Sequence, residues 1–365
     1  MRLARLAGMS AIKGTPLKPT VKDVASKAGV SPITVSRVIN GGNLVSEQTR
    51  RAVLQAIEEL GYKPNLLARS LVHGSAAPLV GFVATELANP FYAPLISAVQ
   101  EVARLRDHLV VIADSERHLA NEATYLQQFE RLRIGGVLVT PLSPDSGPLE
   151  TLRSAGVPVV VVARRWEDGD YVTADNTLGG RMVGSHLLDL GHRHIAVVAL
   201  DEPGHTAAAD RLAGFRARLA ESNLDAPTIW TKSLSTSEGA SSAGEILALS
   251  PRPTAVFVMA DRLAIGVVHE LLKHGIGVPD ELSVVGYDDI HYSAFLEVPL
   301  TTVALPTAEI GQIAAEILFD RMATGASAEP WRQVLLPPRL VIRASTGSAV
   351  IGSKPSRSAS EPSPG

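Results

Sequence analysis

From residue 79 onward, short runs of apolar residues alternate with longer amphipathic stretches. Two series of runs are present, at residues 79–83, 109–113, 136–140 and 157–162, and then at 195–199, 255–258 and 282–286. Strands that alternate with helical stretches are typical of parallel sheets covered by helices. The two series therefore predict two doubly wound parallel-sheet subdomains of an α/β body. A cleft is expected at the carboxyl ends of their strands, where ligands bind in such sheets.

The N-terminal part of the chain shows a different pattern, that of two short helices joined by a tight turn. Thr20, with Asp23 three residues later, forms a capping box, and Gly29 supplies the turn. Ser31 then caps a second helix that begins at Pro32. The inward-facing positions are apolar, at Val24, Ala28, Val30, Val35 and Val38. The outer face of the second helix carries Pro32, Ile33, Ser36 and Arg37.

A third helix is predicted from Ser46 to Gly61, because apolar residues recur at helical spacing between them and Glu47 suits the positive helix end. Three helices make a small all-α domain over residues 20–63. A helix-turn-helix with an arginine on its outer face is typical of a DNA-binding headpiece. The competing interpretation is a surface helical hairpin with no role in DNA binding.

Charge is divided unevenly along the chain. The net charge of −3 separates into +7 for residues 1–75, with 11 Lys and Arg against 4 Asp and Glu, and −10 for the rest. A basic end attracts phosphate groups, whereas an acidic remainder is repelled by them. The basic region coincides with the helix-turn-helix, which favours DNA binding over an ordinary solvated surface.

The composition indicates a cytoplasmic protein of two parts. The 365 residues, 45% of them hydrophobic, suffice for one large core plus a small appended domain. The absence of Cys excludes disulfides and fits a reducing compartment. No apolar run is long enough to span a membrane, and residues 1–19 lack the apolar segment of a secretion signal. Residues 1–19 are predicted to be a flexible tail, and the Ser/Pro/Gly-rich residues 345–365 a disordered one.

Residues 64–76 form a candidate linker between the headpiece and the body, which is predicted to span residues 79–344. Asn65 can cap, and Gly74 can end, a helix of about two turns. Such a helix is unstable alone in water. If it folds only when two copies pair on DNA, its ordering is coupled to DNA binding.

Several sequence motifs, in order along the chain, resemble those of the lactose-repressor/galactose-repressor (LacI/GalR) family of transcriptional regulators. They are the run from Thr20 through Ser46-Glu-Gln-Thr-Arg50, Gly61-Tyr-Lys-Pro-Asn65 and Ala68-Arg-Ser-Leu71, then Asn89-Pro-Phe91, Gly156-Val-Pro-Val159, Leu190-Gly-His-Arg193, Arg211-Leu-Ala-Gly-Phe215, Val278-Pro279 and Ser283-Val-Val-Gly-Tyr-Asp-Asp289. The resemblance covers residues 21–341 and implies a periplasmic-binding-protein-like body. It also implies that the chain crosses between the subdomains near Asp175, near Ala304 and again near Trp331.

In the headpiece, Arg37 is expected to contact a guanine in the major groove, with Pro32 and Ile33 making apolar contacts with bases. Ser31, Thr34 and Asn40 are expected to contact phosphates. Thr20, Ser36 and Ser46 are further expected DNA contacts. The resemblance gives Leu71 the role of an apolar wedge in the minor groove. The alternative is that Leu67 and Leu71 pack against the body.

Six candidate effector-binding residues lie directly after strands or at the start of helices: Asn89, Phe91, Tyr92, Arg164, Arg211 and Asp288. An aromatic ring among them could stack on the apolar face of a sugar-sized ligand. Guanidinium groups and a carboxylate suit vicinal hydroxyls or an acid group. For any single charged residue of the set, an ordinary surface ion pair is the competing explanation.

The chain departs from the family's frequent sugar-contact pattern at three positions. Ala163 stands where an Asp commonly precedes the strand-end Arg, Ala260 where an Asn is common, and Leu305 where a Gln is common. Because each buried ligand hydroxyl needs a partner, the loss of three polar groups disfavours a plain pentose or hexose. With Arg164 and Arg165 retained, an acidic or partly apolar effector is expected.

Other polar clusters have structural interpretations. The spacing of His186, His192 and His194 is poor for a metal site, and no Cys is near. Asp261 is expected to cap a helix that runs to His274. Neither a metal nor a cofactor is expected.

Together these features predict a homodimeric transcriptional regulator, a repressor of a carbohydrate or related catabolic operon that binds a near-palindromic operator. A small-molecule effector, such as a sugar, sugar acid or related metabolite, is expected to bind between the subdomains and to change DNA affinity by altering their closure. The alternative is a solute-binding protein for sugar-like ligands, which shares the body fold but leaves residues 20–74 unexplained. A sugar-processing enzyme is less favoured, because no catalytic pair stands out.

Overall fold

The chain folds into two units, a helical headpiece within residues 1–75 and a larger body within residues 76–365. The computed structural model describes residues 19–39, 45–63, 76–143, 147–202, 204–325 and 330–349. The boundary between the two units lies at residues 75 and 76, at the end of the predicted linker, residues 64–76.

The headpiece contains three helices: α1 Val21–Ala28, α2 Pro32–Ile39 and α3 Glu47–Leu60. The predicted capping box is present, because Thr20 Oγ1 accepts from the backbone N–H of Asp23 while the Asp23 carboxylate accepts from that of Thr20. Gly29 and Gly61 end α1 and α3 in the left-handed conformation that glycine adopts readily. Local sequence signals thus determine where these helices begin and end.

The apolar faces of the three helices meet in one small core. Its buried members are Val24, Ala25, Val35, Val38, Val53 and Ala56. Ala28 and Val30, also predicted to face inward, are partly buried against it. An ion pair between Lys27 Nζ and Glu59 Oε2, 2.8 Å apart, links α1 to α3 at the surface. Exposed pairs contribute roughly 0–1 kcal/mol, so the apolar core holds the headpiece together.

One parallel sheet forms the first subdomain of the body, named here the N-subdomain. Its strands are β1 Ala77–Ala84, β2 Leu109–Asp114, β3 Ile134–Val139, β4 Val159–Val162, β5 Asp170–Ala174 and β11 Gln333–Leu336. Their order is β11-β5-β4-β3-β1-β2, with every neighbouring pair parallel. The helices that cover the sheet are α4 Tyr92–Arg104, α5 Leu119–Arg131, α6 Gly147–Ser154 and α11 Thr307–Thr324. Separate apolar clusters fill its two faces.

The C-subdomain is built around a second parallel sheet, of order β7-β6-β8-β9. Its strands are β6 Ile195–Leu200, β7 Thr228–Thr231, β8 Ala255–Val258 and β9 Ser283–Val285, beside an antiparallel pair of β10 Thr302–Ala304 and β12 Arg339–Val341. Its helices are α7 Asn176–Asp189, α8 Thr206–Ala220, α9 Thr236–Ala248 and α10 Asp261–Lys273, with a 3-10 helix at His291–Ala294. All seven apolar runs identified in the sequence coincide with strands of the two sheets, which confirms the predicted fold class.

The chain passes between the subdomains three times. Two crossings lie near Asp175 and Ala304, as the resemblance implies, because β5 is followed by α7 and β10 by α11. The third prediction, near Trp331, is wrong. Trp331 precedes β11, which pairs with β5 in the N-subdomain sheet, so the chain crosses only at Pro337 and Pro338, before β12.

The start of the C-terminal tail also differs from the prediction. Residues 345–349, assigned to the tail by composition, are hydrogen-bonded to the C-subdomain. Ser345 is fully buried, and its Oγ donates to the Val284 carbonyl oxygen (2.6 Å) and accepts from the Thr301 N–H (2.8 Å). Small polar residues held by backbone hydrogen bonds leave no signal in hydropathy, so composition predicts a tail that begins too early.

Asp261 begins α10 but does not cap it, which corrects the capping interpretation. The N-cap is Ala260, and the Asp261 side chain is fully buried. Its carboxylate accepts hydrogen bonds from Ile290 N–H (2.9 Å), Ser293 Oγ (2.7 Å) and Thr302 Oγ1 (2.6 Å). The side chain therefore ties α10 to the 3-10 helix and to β10, instead of turning back to its own helix.

The Asp261 network generates a pH-dependent stability. Burial, and secondly the nearby negative charge of Asp288, raise the pKa of Asp261 from 3.8 to about 7. A carboxyl whose pKa is higher in the folded than in the unfolded chain stabilises the fold below pH ~4, and this stabilisation is lost as the pH rises through about 7. Relative to Asp261→Asn, which does not titrate, the wild type should lose on the order of 2–4 kcal/mol of unfolding free energy over that range. Urea unfolding of both proteins between pH 4 and 8 measures this difference, and parallel pH profiles would contradict it.

Candidate functional site

Helix α2 exposes the side chains predicted to contact bases. Pro32 and Arg37 are exposed, and Ile33 keeps 66% of its surface accessible. An isoleucine this exposed adds little to the headpiece core, so it is available for an apolar contact. Thr34 and Ser36 are half-buried on the same helix.

Three of the hydroxyls predicted to contact DNA cap the three helices. Thr20 caps α1, and Ser31 Oγ and Ser46 Oγ accept from the backbone N–H groups of Thr34 and Thr49, each at 3.2 Å. Helix N-termini combine partial positive charge with N–H groups that have no partner in the helix, and this combination suits phosphate oxygens.

Two predicted DNA contacts, Asn40 and Leu71, lie outside the described residues. The same holds for the rest of the predicted linker, residues 64–75, and for residues 1–18 and 350–365. The wedge role of Leu71 stays a prediction.

A cleft with about 570 Å³ of empty space, part of it open to solvent, lies in the body at the carboxyl ends of strands from both subdomains. The structure brings all six candidate effector residues into its lining: Asn89, Phe91, Tyr92, Arg164, Arg211 and Asp288. The lining also contains polar residues that sequence reasoning missed: Thr85, Glu86, Arg117, Thr173, Asn176 and His205. Ala163 and Leu305 are present there as apolar positions, whereas Ala260 is not part of the lining.

Arg211 lies in the second turn of α8, not at the helix start as predicted. Its Nε donates to Asn176 Oδ1 (2.9 Å), its Nη1 donates to the Met259 carbonyl oxygen (2.7 Å), and its Nη2 lies 3.0 Å from Asp288 Oδ1. The guanidinium carbon is 3.9 Å from the centroid of the Tyr287 ring. Both side chains of the Arg211–Asp288 pair are only 7% exposed, so this is a buried ion pair in which each guanidinium nitrogen has one partner.

Two glycines allow α8, which carries Arg211, to approach α7 closely. A Cβ on Gly180 would lie 2.0 Å from the Arg211 carbonyl oxygen, and one on Gly214 would lie 2.0 Å from that of Thr177. Any larger residue at either position would push the helices apart. The position of the guanidinium therefore depends on backbone contact between α7 and α8.

Asp288 combines backbone strain with burial. Its φ of 108° lies in the left-handed region, and the next residue, Asp289, is also left-handed at 52°. Such positions cost roughly 1–3 kcal/mol each. Burial raises the pKa of Asp288, while Arg211 acts in the opposite direction. Strain and desolvation at one residue of a cleft are typical of a functional position.

Arg164, which follows β4, is buried and makes no ion pair with a carboxylate among the described residues. Its Nη1 donates to the Ala163 carbonyl oxygen (3.0 Å), its Nη2 lies 2.7 Å from His205 Nε2, and its Nε has no hydrogen-bond partner within the described ranges. His205 caps α8, because its Nδ1 accepts from the Ala208 N–H (3.0 Å). Burial lowers the pKa of His205 well below its ordinary value, and three nearby arginines lower it further.

The two aromatic residues at the start of α4 have different environments. The Phe91 and Tyr92 rings meet edge to face with centroids 5.3 Å apart. Tyr92 is buried and its hydroxyl hydrogen-bonds to Thr85 Oγ1 (2.5 Å), whereas Phe91 is half-buried. Asn89 Oδ1 accepts from the Phe91 N–H (3.1 Å) and fixes the loop. Phe91 is therefore the ring better placed to stack on a ligand.

Ion pairs join the two subdomains around the cleft: Arg117 with Glu202, Arg262 with Glu86 and Arg165 with Asp210. The last two have N···O distances of 2.7 and 2.6 Å. Each pair joins the two subdomains and would have to break for them to separate. Arg165, expected from the sequence to serve the effector, thus has a cross-subdomain partner.

Arg117, Asn176 and His205 follow the strands β2, β5 and β6, which is the signal that identifies the other cleft residues, yet sequence reasoning missed all three. Asn176 is missed because the sequence does not predict β5. Arg117 and His205 are missed because nothing local distinguishes them from ordinary loop positions.

Neither a metal site nor a membrane-spanning helix is found in the described part of the chain. It contains no cluster of three or more His, Cys, Asp or Glu side chains that could hold a metal ion. Two of the three clustered histidines instead hold the C-terminal segment, since His186 Nε2 lies 3.0 Å from Thr346 Oγ1 and His192 Nε2 lies 3.0 Å from the Gly347 carbonyl oxygen. Within the same ranges, no helix is both long and apolar enough to cross a membrane.

Comparison with protein families gives two matches. Residues 20–65 match bacterial regulatory proteins of the lacI family, and residues 185–346 match a periplasmic binding protein-like domain. The first match covers the helix-turn-helix, and the second covers most of the C-subdomain together with α11 and β11.

Curated relatives and solved structures share nearly the whole chain. The HTH-type transcriptional repressors PurR of Mannheimia succiniciproducens and Photobacterium profundum are 33% and 32% identical, over 89% of this chain and 98% of each relative. The transcriptional regulator CelR in complex with cellobiose is 32% identical, with a TM-score of 0.68. The lac repressor dimer bound to operator and the anti-inducer ONPF is 28% identical, with a TM-score of 0.79. Each alignment with these two structures covers 90% of this chain and 99% of the other.

The relatives named in these comparisons are transcriptional repressors and regulators, not enzymes. Together with the exposed recognition helix α2 and the polar cleft, these relatives show that the chain belongs to the lacI family of bacterial regulatory proteins and is a DNA-binding transcriptional regulator with an effector-binding body.

Proposed function

We propose that this regulator is a dimeric repressor of a carbohydrate or related catabolic operon, that it acts in the cytoplasm, and that a small molecule in the cleft controls its affinity for a near-palindromic operator. The observation that carries the proposal is the presence, in one chain, of an exposed recognition helix and of a cleft lined by six predicted ligand contacts. A related regulator in complex with cellobiose and a related repressor dimer on its operator support the two halves of the proposal.

The headpiece reads the operator through α2. Two copies related by a two-fold axis present two identical helices, which fit half-sites of inverted symmetry. Arg37 makes a bidentate contact with guanine, Pro32 and Ile33 make apolar base contacts, and the capped helix ends hold phosphates. The net charge of +7 over residues 1–75 adds attraction that does not depend on sequence.

Arg37→Ala is expected to cost roughly 1–3 kcal/mol of binding free energy at one base-pair position and to relax the base preference there, because the bidentate contact discriminates a single base. A half-site base scan by titration at fixed salt measures this change. Arg51→Ala, which removes an exposed cation from α3, is the matched control and should leave base preferences intact. Unaltered specificity in Arg37→Ala would refute the assignment.

The cleft holds the effector through contacts from both subdomains. Phe91 stacks on its apolar face, while Arg164, Arg211 and Asp288 bond to its polar groups. A ligand that touches both sides favours one degree of closure over another, and the three cross-subdomain ion pairs mark the closed arrangement. The effector can change DNA affinity by no more than its differential affinity for the two states.

Phe91→Leu is expected to weaken effector binding by roughly 1 kcal/mol, since ring stacking contributes about that much beyond the area it buries. Operator affinity without effector should stay unchanged. The effector is first selected by a thermal-shift screen of sugars, sugar acids and nucleosides, and affinities then come from calorimetry. Phe295→Leu alters an exposed ring outside the cleft lining and serves as the control.

Linkage provides the test of control by the cleft. Operator must change effector affinity by the same factor by which effector changes operator affinity. Calorimetric titrations of the selected ligand into protein alone and into the protein–operator complex give this factor directly. Equal affinities in the two titrations would mean that the cleft does not regulate DNA binding.

A further inference from the structure

We infer that the effector carries an anionic group, a carboxylate or a phosphate, that binds at Arg164 beside His205 and supplies the counter-charge that this arginine lacks. The inference rests on the proposed function, because it names the chemical class of ligand for the same cleft. It is carried by the contrast between Arg164 and the other arginines of the cleft.

Every other arginine at the cleft has a carboxylate partner. These ion pairs are Arg211 with Asp288, Arg117 with Glu202, Arg262 with Glu86 and Arg165 with Asp210. Each of the four carboxylates is therefore already engaged by another arginine. Arg164, which is buried, makes no ion pair with any described residue. A buried charge without a counter-charge is costly to the fold, so its presence in a cleft points to a partner that arrives from outside.

The remaining nearby carboxyl does not compensate Arg164. Glu122, on α5, uses Oε2 to accept from the Leu142 N–H at 3.0 Å and forms no ion pair with the arginine. Burial raises the pKa of Glu122, which works against a negative charge there, although the Leu142 N–H and the charge of Arg164 act in the opposite direction. Burial likewise lowers the pKa of Arg164, yet a guanidinium stays protonated in proteins. The positive charge at this side of the cleft therefore persists.

The contact between Arg164 and His205 leaves one donor too many. A neutral imidazole accepts at only one of its nitrogens. His205 Nδ1 already accepts from the Ala208 N–H, so Nε2 carries the proton and faces Arg164 Nη2, which also only donates, at 2.7 Å. The other tautomer moves the same conflict to Ala208. An anionic oxygen beside the pair resolves it, because it accepts from both N–H groups.

The environment of Arg164 Nε supports the same conclusion. It is buried and has no hydrogen-bond partner among the described residues. A carboxylate or phosphate can take two parallel hydrogen bonds from a guanidinium, one of them from Nε. A neutral hydroxyl accepts without supplying charge, so it would leave the buried guanidinium uncompensated.

The first arm of the test needs no effector. In chloride buffer, Arg164→Gln of the full-length protein should melt at or above the wild-type temperature, because it removes an unpaired buried charge. Arg211→Gln, the matched control, should melt lower, because it leaves Asp288 unpaired. If Arg164→Gln lowers the melting temperature as much as Arg211→Gln does, Arg164 already has a structural partner and the inference is wrong.

The second arm uses defined probes at constant ionic strength. Inorganic phosphate is compared with chloride, and D-gluconate with D-glucitol, which carries a hydroxymethyl group in place of the carboxylate. The anionic probes should raise the melting temperature of the wild type, and Arg164→Gln should bind them about tenfold more weakly or worse, with partial recovery in Arg164→Lys. Failure of both anions to stabilise the wild type selectively, or stabilisation that survives Arg164→Gln, would overturn the inference.

The two proposals fail separately. A neutral ligand that binds the cleft and shifts operator affinity, while the anions do not bind, would contradict the proposed anion site and leave the proposal of control by an effector intact. An anion that binds through Arg164 without changing operator affinity would support the anion site and contradict control by the cleft.

Discussion

The buried ion pair between Arg211 and Asp288 connects the parts of the C-subdomain that form the cleft. Its guanidinium also bonds to Asn176 at the start of α7 and to the Met259 carbonyl oxygen after β8. Removing one partner of such a pair typically costs about 3–5 kcal/mol, because the other charge stays buried. The pair thus restricts the cleft to a narrow set of geometries, and the backbone contact of α7 with α8 is part of that restriction.

This constraint separates two roles that look identical in the sequence. Arg164, which follows β4, and Arg211, which lies within α8, both line the cleft, but Arg211 has a carboxylate partner within the fold and Arg164 has none among the described residues. A ligand that bonds to Arg211 joins an existing network, whereas one that bonds to Arg164 completes an incomplete one. A ligand shifts a conformational equilibrium only to the extent that it binds one state more tightly than the other.

The sequence predicts best where the physical signal is local. Caps at Thr20 and Ser31 and the glycines that end α1 and α3 depend on neighbouring residues, and the apolar strands depend on short runs. The sequence does not predict β5, because the strand begins with Asp170, a residue type that sequence patterns assign to the surface. In the structure Asp170 is buried and forms a bidentate ion pair with Arg321, 151 positions away. The cleft residues were found by position after strands, but their partners were not. The pairing of Arg165 with Asp210, or of Arg164 with His205, depends on how the subdomains meet.

The three crossings have a consequence for how the protein is made. The N-subdomain needs β11, and the C-subdomain needs β12 and the segment that holds Ser345, so both subdomains draw on the last part of the described chain. A nascent chain leaving the ribosome can complete its headpiece early, since that helical unit is contiguous. Neither half of the body can reach its final hydrogen bonding until β11, β12 and Ser345 have been synthesised. During translation, a finished DNA-reading module is therefore tethered to an unfinished regulatory one, and the open edge of β5 is exposed until β11 arrives.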